Sequence, residues 1–337
     1  MSIVNTFSLQ SNRQIKINFD GGDLSSDAGL LLIKEFISKL GIERLLNRSF
    51  KTNDSAVFRY HTDRDNLLQM IYMIMAGYFE DDASDELTKD PIFFNRMDED
   101  TLKQFQEISQ ILRKRIYSIQ MPQAVILDLD STLLAAYGKQ EGRAFNFHYR
   151  SNGYHPLVCY DGITGDLIKI QLRDGAAYSC TGVTDFLQPI LDEYLNDYPT
   201  IHLLLRGDSG FATPDLYKQC EENGTSYVIR LKENFIKESK SGFDFSAVSS
   251  HNRIVNANRV QVHALAYNIF NWFRRLVLSA KMRKQRIDTV RLKLLKIATK
   301  VVHSARYITF KLCSSCPYKE EFYDTLSAIG KLNVQLE

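Results

Sequence analysis

The spacing of hydrophobic residues changes once along this chain, near residue 121. Before that point apolar residues recur every three or four positions, which is typical of amphipathic helices. After it, runs of consecutive aliphatic residues indicate buried strands. The helices predicted in the first part cover residues 28–40, 64–76 and 99–117. The strands predicted in the second part cover residues 123–130, 157–160, 167–172, 201–205 and 227–231, with a possible further strand at 144–149.

Helical spacing returns between the later strands, at residues 181–195 and 213–222. The sequence Asp161-Gly162-Ile163-Thr164-Gly165 indicates a hairpin turn between two of the strands, so the sheet should begin antiparallel. The order strand, hairpin, helix, strand, helix, strand predicts an α/β fold with a mixed sheet.

The chain is expected to have three parts. Residues 1–120 should form a helical region, residues 121–240 the α/β domain and residues 241–337 a basic helical region. In the last part we predict helices at 253–276 and 288–300, a strand-like segment at 305–313 and a final helix from about Lys319.

Composition narrows the class of protein. With 337 residues, 44% of them hydrophobic and 24% charged, the chain is long and apolar enough to be globular. No apolar run reaches the roughly 18 residues of a membrane span, and the N-terminus lacks the pattern of a signal peptide. The five cysteines are an odd number, and the Cys313/Cys316 pair has no second pair to complete a zinc site. These features favour a cytoplasmic protein with free thiols.

Positive charge is concentrated in one segment, although the net charge is only +2. Between residues 273 and 306 Asp288 is the only acid, whereas lysines and arginines are numerous. Such a segment can neutralise phosphates, or it can be the solvated face of a helix. The residues expected to contact DNA in or beside this block are Arg274, Arg275, Arg283, Lys284 and Arg286.

Carboxylates stand at the ends of two predicted strands. Asp128 and Asp130 close the first strand, Asp208 follows the strand at 201–205, and Glu233 opens the segment after the last strand. Each could simply cap a turn or lie at the surface. Brought together, three carboxylates would repel one another unless divalent cations neutralised them. Two Mg²⁺ ions about 4 Å apart could then activate a water or a 3′-hydroxyl and stabilise the leaving oxygen.

Several segments resemble, in order, the DDE transposases of bacterial insertion sequences, of the type called IS thirteen-eighty. The matching pieces are FDGGDLSSDAGLLL, GYFEDDASDELTKDP, VILDLDSTLLAAYGKQEG, GYHPLVCYDGITGDL, LLLRGDSGF, ENFIKESKSGFDF and RVQVHALAYNIFNWF. The resemblance implies a ribonuclease-H-like catalytic domain at 121–240. It also implies that Asp130, Asp208 and Glu233 form the catalytic, metal-binding triad, with Asp128 as the alternative to Asp130.

The same resemblance implies an activity. Such a protein cleaves DNA at the ends of its element and joins the freed 3′-hydroxyls to target DNA, using Mg²⁺, for which Mn²⁺ can substitute. Its partners would be the terminal repeats and the target DNA, with a homodimer assembled on DNA and the 1–120 region contacting the ends. Lys240, seven residues after Glu233, matches a basic residue of the family and would meet a DNA phosphate.

One departure from the family pattern concerns the third acid. The pattern is Tyr, two residues, Arg, three residues, Glu, with an inserted β domain before the glutamate helix. Tyr227 and Arg230 keep the first spacing, but only two residues separate Arg230 from Glu233. Connections between a strand and a helix usually take about 2 to 6 residues. We therefore expect an internal deletion and reduced or absent activity.

Two alternatives come from other classes of protein. The sequence Asp128-Leu-Asp130-Ser-Thr132 also fits the nucleophile loop of haloacid-dehalogenase-like phosphatases, in which Asp128 attacks phosphorus and Asp130 acts as the acid. A later Gly-Asp followed by an acid, which that class requires, is not found at Gly207-Asp208. The second alternative is a non-catalytic transposase remnant that binds DNA through its basic segment.

Overall fold

The computed structural model describes residues 6–19, 27–54, 60–78, 96–229, 243, 250–303 and 306–334. Its centre is a five-stranded mixed sheet. In spatial order the strands are β10 (Ser226–Ile229), β9 (His202–Gly207), β3 (Ala124–Ser131), β7 (Leu157–Asp161) and β8 (Leu167–Gln171). β3, β9 and β10 are parallel, whereas β7 is antiparallel to both β3 and β8. The predicted mixed α/β class is confirmed.

The connections within this sheet follow the predicted order. β7 and β8 form a hairpin whose turn is held by Asp161, which accepts hydrogen bonds from the Ile163 amide at 3.0 Å and the Thr164 hydroxyl at 2.6 Å. Two helices then lead to β9 and β10, as parallel neighbours require. They are α5 (Val183–Asp197) and α6 (Pro214–Glu222). Pro214 at the first turn and Gly224 with φ of +63° mark the two ends of α6, which agrees with the helix predicted at 213–222.

A small three-stranded sheet is inserted between β3 and β7. Its order is β4 (Leu134–Ala135), β6 (Ser151–Tyr154) and β5 (Ala144–Asn146), all antiparallel. Because β4 follows β3 after only two residues, this sheet lies beside the C-terminal end of β3.

The longest helix of the structure, α7 (Arg253–Val277), is bound to the β7–β8 hairpin by polar contacts. The Asn268 side chain accepts from the Leu167 amide at 2.9 Å and donates to the Leu167 carbonyl at 2.8 Å. Near the C-terminal end of α7, Arg275 forms an ion pair with Asp166 at 2.7 Å. At its N-terminal end, Asn256 donates to the Tyr154 hydroxyl at 3.1 Å, so α7 also contacts the inserted sheet.

The two ends of the chain share a second, four-stranded sheet. Its order is β1 (Phe7–Ser8), β2 (Ile15–Asn18), β12 (Ile308–Leu312) and β11 (Thr299–His303), with β2 and β12 parallel. The other long helices are α1 (Leu30–Lys39), α2 (Ile42–Ser49), α3 (Asp63–Ala76), α4 (Glu99–Ile119) and α10 (Lys319–Lys331). α1, α3, α4 and α10 all contact α7. Phe19 contacts both Phe322 and Tyr323 edge to face, which joins β2 to α10.

The helices predicted in the first part are confirmed with shifted ends. Thr62 and Asp65 form a capping box at the start of α3, and Asp98 with Thr101 forms one at the start of α4. In the last part, the strand-like segment predicted at 305–313 is confirmed by β12 and the final helix by α10. The strands β1 and β2 of the first part were not predicted. The boundaries 1–120, 121–240 and 241–337 stay a prediction.

The prediction of a basic helix at 288–300 is wrong. The structure has two short helices, α8 (Ala280–Arg283) and α9 (Ile287–Val290), then a single π-helical turn at Arg291–Leu295, and then β11. β-Branched residues at 299–302 (Thr-Lys-Val-Val) favour a strand, and pairing with β12 supplies its hydrogen bonds. The helical structure therefore ends at residue 295, and the residues from 299 onwards form a strand.

The remaining features agree with a globular chain. All five cysteines lie in the described residues and are free thiols. Within those residues, every helix is too short or too polar to cross a lipid bilayer.

Arg113 of α4 and Glu193 of α5 form a buried ion pair that can be tested. The guanidinium Nε lies 2.7 Å from the carboxylate, and the two side chains are 10% and 6% exposed. Arg113→Ala would leave the Glu193 charge buried without its partner, so we expect the free energy of unfolding to fall by about 3–5 kcal/mol. Urea denaturation measures this loss.

Lys103→Ala is the matched control on the same helix. Lys103 pairs with Asp100 at 2.8 Å, but both side chains are largely in water. Its loss should leave the free energy of unfolding nearly unchanged, because water screens the exposed pair. Equal losses in the two variants would contradict the assignment of a structural role to Arg113.

Candidate functional site

The parallel pairing of β3 with β9 brings two of the predicted acids to one place. The register runs from Ala124 opposite His202 to Asp128 opposite Arg206. Two residues further on, Asp130 stands level with Asp208, which continues in an extended conformation with φ of −80° and ψ of 178°. Neighbouring strands lie about 4.8 Å apart, and residues two apart share a face of the sheet. Asp130 and Asp208 therefore lie side by side at the C-terminal edge.

Asp128 is engaged in a different interaction. Both of its carboxylate oxygens accept hydrogen bonds from the Arg206 guanidinium, whose side chain is 31% exposed while that of Asp128 is buried. The hydrogen bonds that Arg206 donates to the Asp128 carboxylate raise the pKa of the Arg206 guanidinium. A β-carbon on Gly162 would lie 2.6 Å from an Asp128 oxygen, so the pair fills the space above this glycine. Asp128 thus acts as an internal counter-ion.

The turn after β9 fixes the orientation of Asp208. Its carboxylate accepts a hydrogen bond from the Gly210 amide at 2.8 Å and caps the short turn Ser209–Phe211. Phe211 is fully buried and anchors this turn. Asp130, at the end of β3, accepts from the Ser131 amide at 2.6 Å. Both carboxylates are half-buried, so they lie where a solvated ion could reach them.

A loop held by Arg173 closes one side of this edge. The Arg173 guanidinium donates to the carbonyls of Tyr178, Ser179 and Thr181 at 3.1, 3.1 and 2.6 Å. Its burial lowers the pKa to about 10. The loop places the Ser179 hydroxyl 2.9 Å from that of Ser131 and against Gly210. The two hydroxyls thus connect the residue after Asp130 to the turn that follows Asp208.

These oxygen donors suit a hard cation such as Mg²⁺, which prefers carboxylates and water. Two carboxylates on adjacent strand ends can supply two ligands, and their mutual repulsion favours a cation between them. Across the described residues, however, no group of three or more acidic, histidine or cysteine side chains is placed to hold a metal. The residues present therefore fit part of a metal site.

Two of the predicted site residues, Glu233 and Lys240, lie outside the described residues. Tyr227, two positions from the end of β10, stacks on Tyr217 of α6 with ring centroids 5.1 Å apart. Its hydroxyl donates to Glu221 at 3.3 Å. Tyr227 therefore packs against a helix rather than facing the two acids.

The predicted DNA-binding arginines fall into two groups. Arg275 is bound to Asp166, and Arg274 donates to Asn271 at 2.8 Å, so both are used within the fold. Arg283, Lys284 and Arg286 are exposed in the segment around α8. The exposed group follows the C-terminal end of α7, whereas the N-terminal end of α7 adjoins the inserted sheet. The 25 residues of α7 span about 37 Å at a rise of about 1.5 Å per residue.

Several residues of the site escaped sequence reasoning. Arg206 could have been found, because the Arg-Gly-Asp sequence puts a cation two residues before Asp208 on the same strand face. Ser179 and Arg173 have no local signal, since the loop that joins them depends on the tertiary structure. The run Phe145-Asn-Phe-His-Tyr-Arg was a visible signal of an exposed aromatic segment.

A comparison with protein families gives one clear match. The family described as "Transposase DDE domain group 1" matches residues 7–96, 93–234 and 232–334, which together span nearly the whole chain. Consecutive matched segments overlap at 93–96 and at 232–234. Among the curated proteins, none matches this sequence.

Three solved structures show distant similarity. A piggyBac transposase synaptic complex with hairpin DNA is 13% identical over 63% of this chain and 54% of its own, with a TM-score of 0.29. The Mos1 transposase paired-end complex with the left transposon end is 10% identical over 73% and 86%, with a TM-score of 0.25. The large terminase nuclease of thermophilic phage G20c is 11% identical over 61% and 83%, with a TM-score of 0.15. This chain spans about half the length of the piggyBac chain that it matches.

The Asp128–Arg206 pair can be tested separately from any activity. Arg206→Ala would leave the buried Asp128 charge without its counter-ion, and we expect a loss of about 2–3 kcal/mol, reduced because Arg206 is partly solvated. Combining it with Asp128→Asn should recover part of the loss, since no buried charge then remains. Chemical denaturation measures both, with Asp208→Asn as a control that should change stability little. Additive losses in the double variant would contradict the pairing.

Proposed function

Because the chain belongs to the family of transposase DDE domains, group 1, we propose that it cleaves phosphodiester bonds at the ends of a mobile DNA element and joins the freed 3′-hydroxyls to target DNA. The observation that carries this proposal is the register of β3 with β9, which places Asp130 and Asp208 at one sheet edge. The type called IS thirteen-eighty is proposed on the order of the sequence motifs.

The sheet topology supports a ribonuclease-H-like catalytic core. Three antiparallel strands are followed by two strands parallel to the first, in the spatial order third, second, first, fourth, fifth. In this arrangement the first and fourth strands are neighbours. Their ends carry Asp130 and Asp208, so the topology itself accounts for the meeting of acids that are far apart in sequence.

Asp130, Asp208 and Glu233 are the proposed triad, of which the described residues hold the first two. When bound, Mg²⁺ or Mn²⁺ would supply the activation of a water or a 3′-hydroxyl and the neutralisation of the leaving oxygen. The chain itself contributes fixed carboxylates: the Gly210 amide orients Asp208, and β3 holds Asp130 in extended backbone. Asp128 contributes through Arg206 by holding the two strands together, which favours Asp130 as the first acid.

The basic residues suggest a path for the DNA. Arg283, Lys284 and Arg286 are exposed, and a duplex lying along the length of α7 would cover about 37 Å, or about eleven base pairs at 3.4 Å each. These residues would bind phosphates away from the cut, while Lys240 would bind one close to Glu233. A homodimer on DNA and a cytoplasmic location are proposed on the resemblance to the family.

An internal deletion before Glu233 is part of the proposal. The family match is divided into two segments that overlap at 232–234, and only two residues separate Arg230 from Glu233. The packing of Tyr227 on Tyr217 also suits a strand residue better than a member of the glutamate motif. A shortened connection would hold Glu233 away from the other two acids and lower the activity.

The phosphatase alternative loses its main support in this structure. A nucleophilic Asp128 would have to face a phosphate, whereas its carboxylate is buried against the Arg206 guanidinium. A non-catalytic DNA-binding remnant remains as an outcome of the cleavage test below.

The first test is cleavage, in Mn²⁺, of a DNA fragment that bears the element's own ends. Asp130→Asn and Asp208→Asn should each lower the cleavage rate more than about a hundredfold, because each removes a ligand charge. DNA binding measured without metal should be unchanged. Asp215→Asn is the control, since Asp215 is an exposed acid on the nearby α6 and should retain full cleavage.

Other results would overturn parts of the proposal. End binding without cleavage by the unmodified chain would identify a DNA-binding remnant. Loss of cleavage in Asp128→Asn but not in Asp130→Asn would make Asp128 the first acid.

A second test addresses the deletion. Inserting about four Gly and Ser residues between Lys232 and Glu233 would restore a loop of ordinary length, and we expect cleavage to rise several-fold. The same insertion after the exposed Ser314 is the control and should leave cleavage unchanged. No gain at the first position relative to the second would show that the short connection does not limit activity.

A further inference from the structure

Exposed aromatic side chains are concentrated beside the two acids. Of the eight exposed phenylalanine and tyrosine residues in the described part of the chain, five lie between positions 137 and 178. They are Tyr137, Phe145, Phe147, Tyr149 and Tyr178. Phe147 is 86% exposed and Phe145 is 43% exposed, and their rings meet edge to face with centroids 5.2 Å apart. Such a cluster in water usually marks a binding surface.

Three of the five, Phe145, Phe147 and Tyr149, lie in residues 145–150, which we term the aromatic turn. Side-chain hydrogen bonds hold its backbone. Buried Asn146 accepts hydrogen bonds from the amides of His148 and Tyr149 at 3.1 and 3.2 Å. Its side-chain nitrogen donates to the Gly175 carbonyl at 2.9 Å, which ties the turn to the loop held by Arg173. The two phenylalanines are therefore presented by a fixed backbone, so binding through them would cost little ordering.

The aromatic turn is joined directly to the end of β3. The Tyr149 hydroxyl donates to the carbonyl of Ser131 at 3.2 Å, and Ser131 is the residue after Asp130. Phe147 is two residues before Tyr149 in the same turn. The turn that presents both phenylalanines is therefore hydrogen-bonded to the strand end that bears Asp130.

The charges around the aromatic turn suit a polyanion. Between positions 136 and 155, Lys139, Arg143 and Arg150 face a single acid, Glu141. Glu141 is itself occupied, because its carboxylate accepts from the Arg253 amide at 3.2 Å. Aromatic faces interleaved with cations are the features that bind single-stranded nucleic acid, by stacking on bases and attracting phosphates.

We propose that Phe145 and Phe147 stack on unpaired DNA bases displaced from the duplex next to the cleaved phosphodiester. This inference rests on the proposed function, because the acids must hold DNA for the aromatic turn to meet it. A scissile phosphate inside a regular duplex is hard to seat between two strand ends, and unpairing adjacent bases would free the strand. The stacking faces stabilise those bases once they have left the helix.

The test is DNA binding without metal, so that cleavage plays no part. Stacking tolerates any base, so the probes are an oligothymidylate of about 15 nucleotides and a paired duplex of equal length. Phe147→Ala should weaken binding of the single strand about five- to a hundredfold and leave duplex binding unchanged. Phe147→Tyr should keep the affinity of the unmodified chain, because it retains the ring. Phe145→Ala should weaken single-strand binding in the same direction.

Tyr60→Ala is the control, since Tyr60 is a fully exposed aromatic residue outside this region, and it should bind both probes normally. Equal single-strand affinity in Phe147→Ala and the unmodified chain would overturn the inference. So would a change of oligomeric state in Phe147→Ala with unchanged DNA affinity, which would mark a protein interface. Failure of the Mn²⁺ cleavage test with Phe147-dependent binding intact would reject the proposed activity alone.

Discussion

The parallel register between β3 and β9 is the constraint on which the candidate site depends. A shift of one residue would turn either Asp130 or Asp208 to the opposite face of the sheet, because side chains alternate along a strand. The Asp128–Arg206 ion pair is formed in this register and not in a shifted one, so it opposes slippage where the acids need it. One ion pair thus links the stability of the sheet to the geometry of the site.

Sequence reasoning succeeded where local rules decide the structure. Consecutive aliphatic residues identified β3 and β9, and the acids that follow them could be placed at strand ends from the pattern alone. The hairpin at Asp161 and the helix capped by Thr213 and Gly224 were equally local. Asp130 and Asp208 meet at one edge because β3 and β9 are adjacent in the sheet. This adjacency could be predicted from the order of strands and helices along the chain.

Sequence reasoning failed where contacts between distant parts of the chain determine the structure. β1 and β2 lack a hydrophobic run of their own and exist because they pair with β12 and each other. The basic segment was extended as a helix to residue 300, although its last residues become a strand by pairing with β12. Arg275 illustrates the same limit for function: its charge suggested DNA, but Asp166, more than a hundred positions earlier, binds it.

The sheet shared by the two ends of the chain also has a consequence for synthesis on the ribosome. β2 cannot obtain its parallel neighbour until β12 has emerged, about 290 residues later, which takes about 15 to 60 s at ordinary rates of translation. During that interval β2 has an unpaired edge, which is a site for wrong pairing. The central sheet needs no strand beyond β10 and can form earlier. The body formed by the chain's two ends is therefore the last to be completed, and its edges are the part of the nascent protein that most needs chaperone protection.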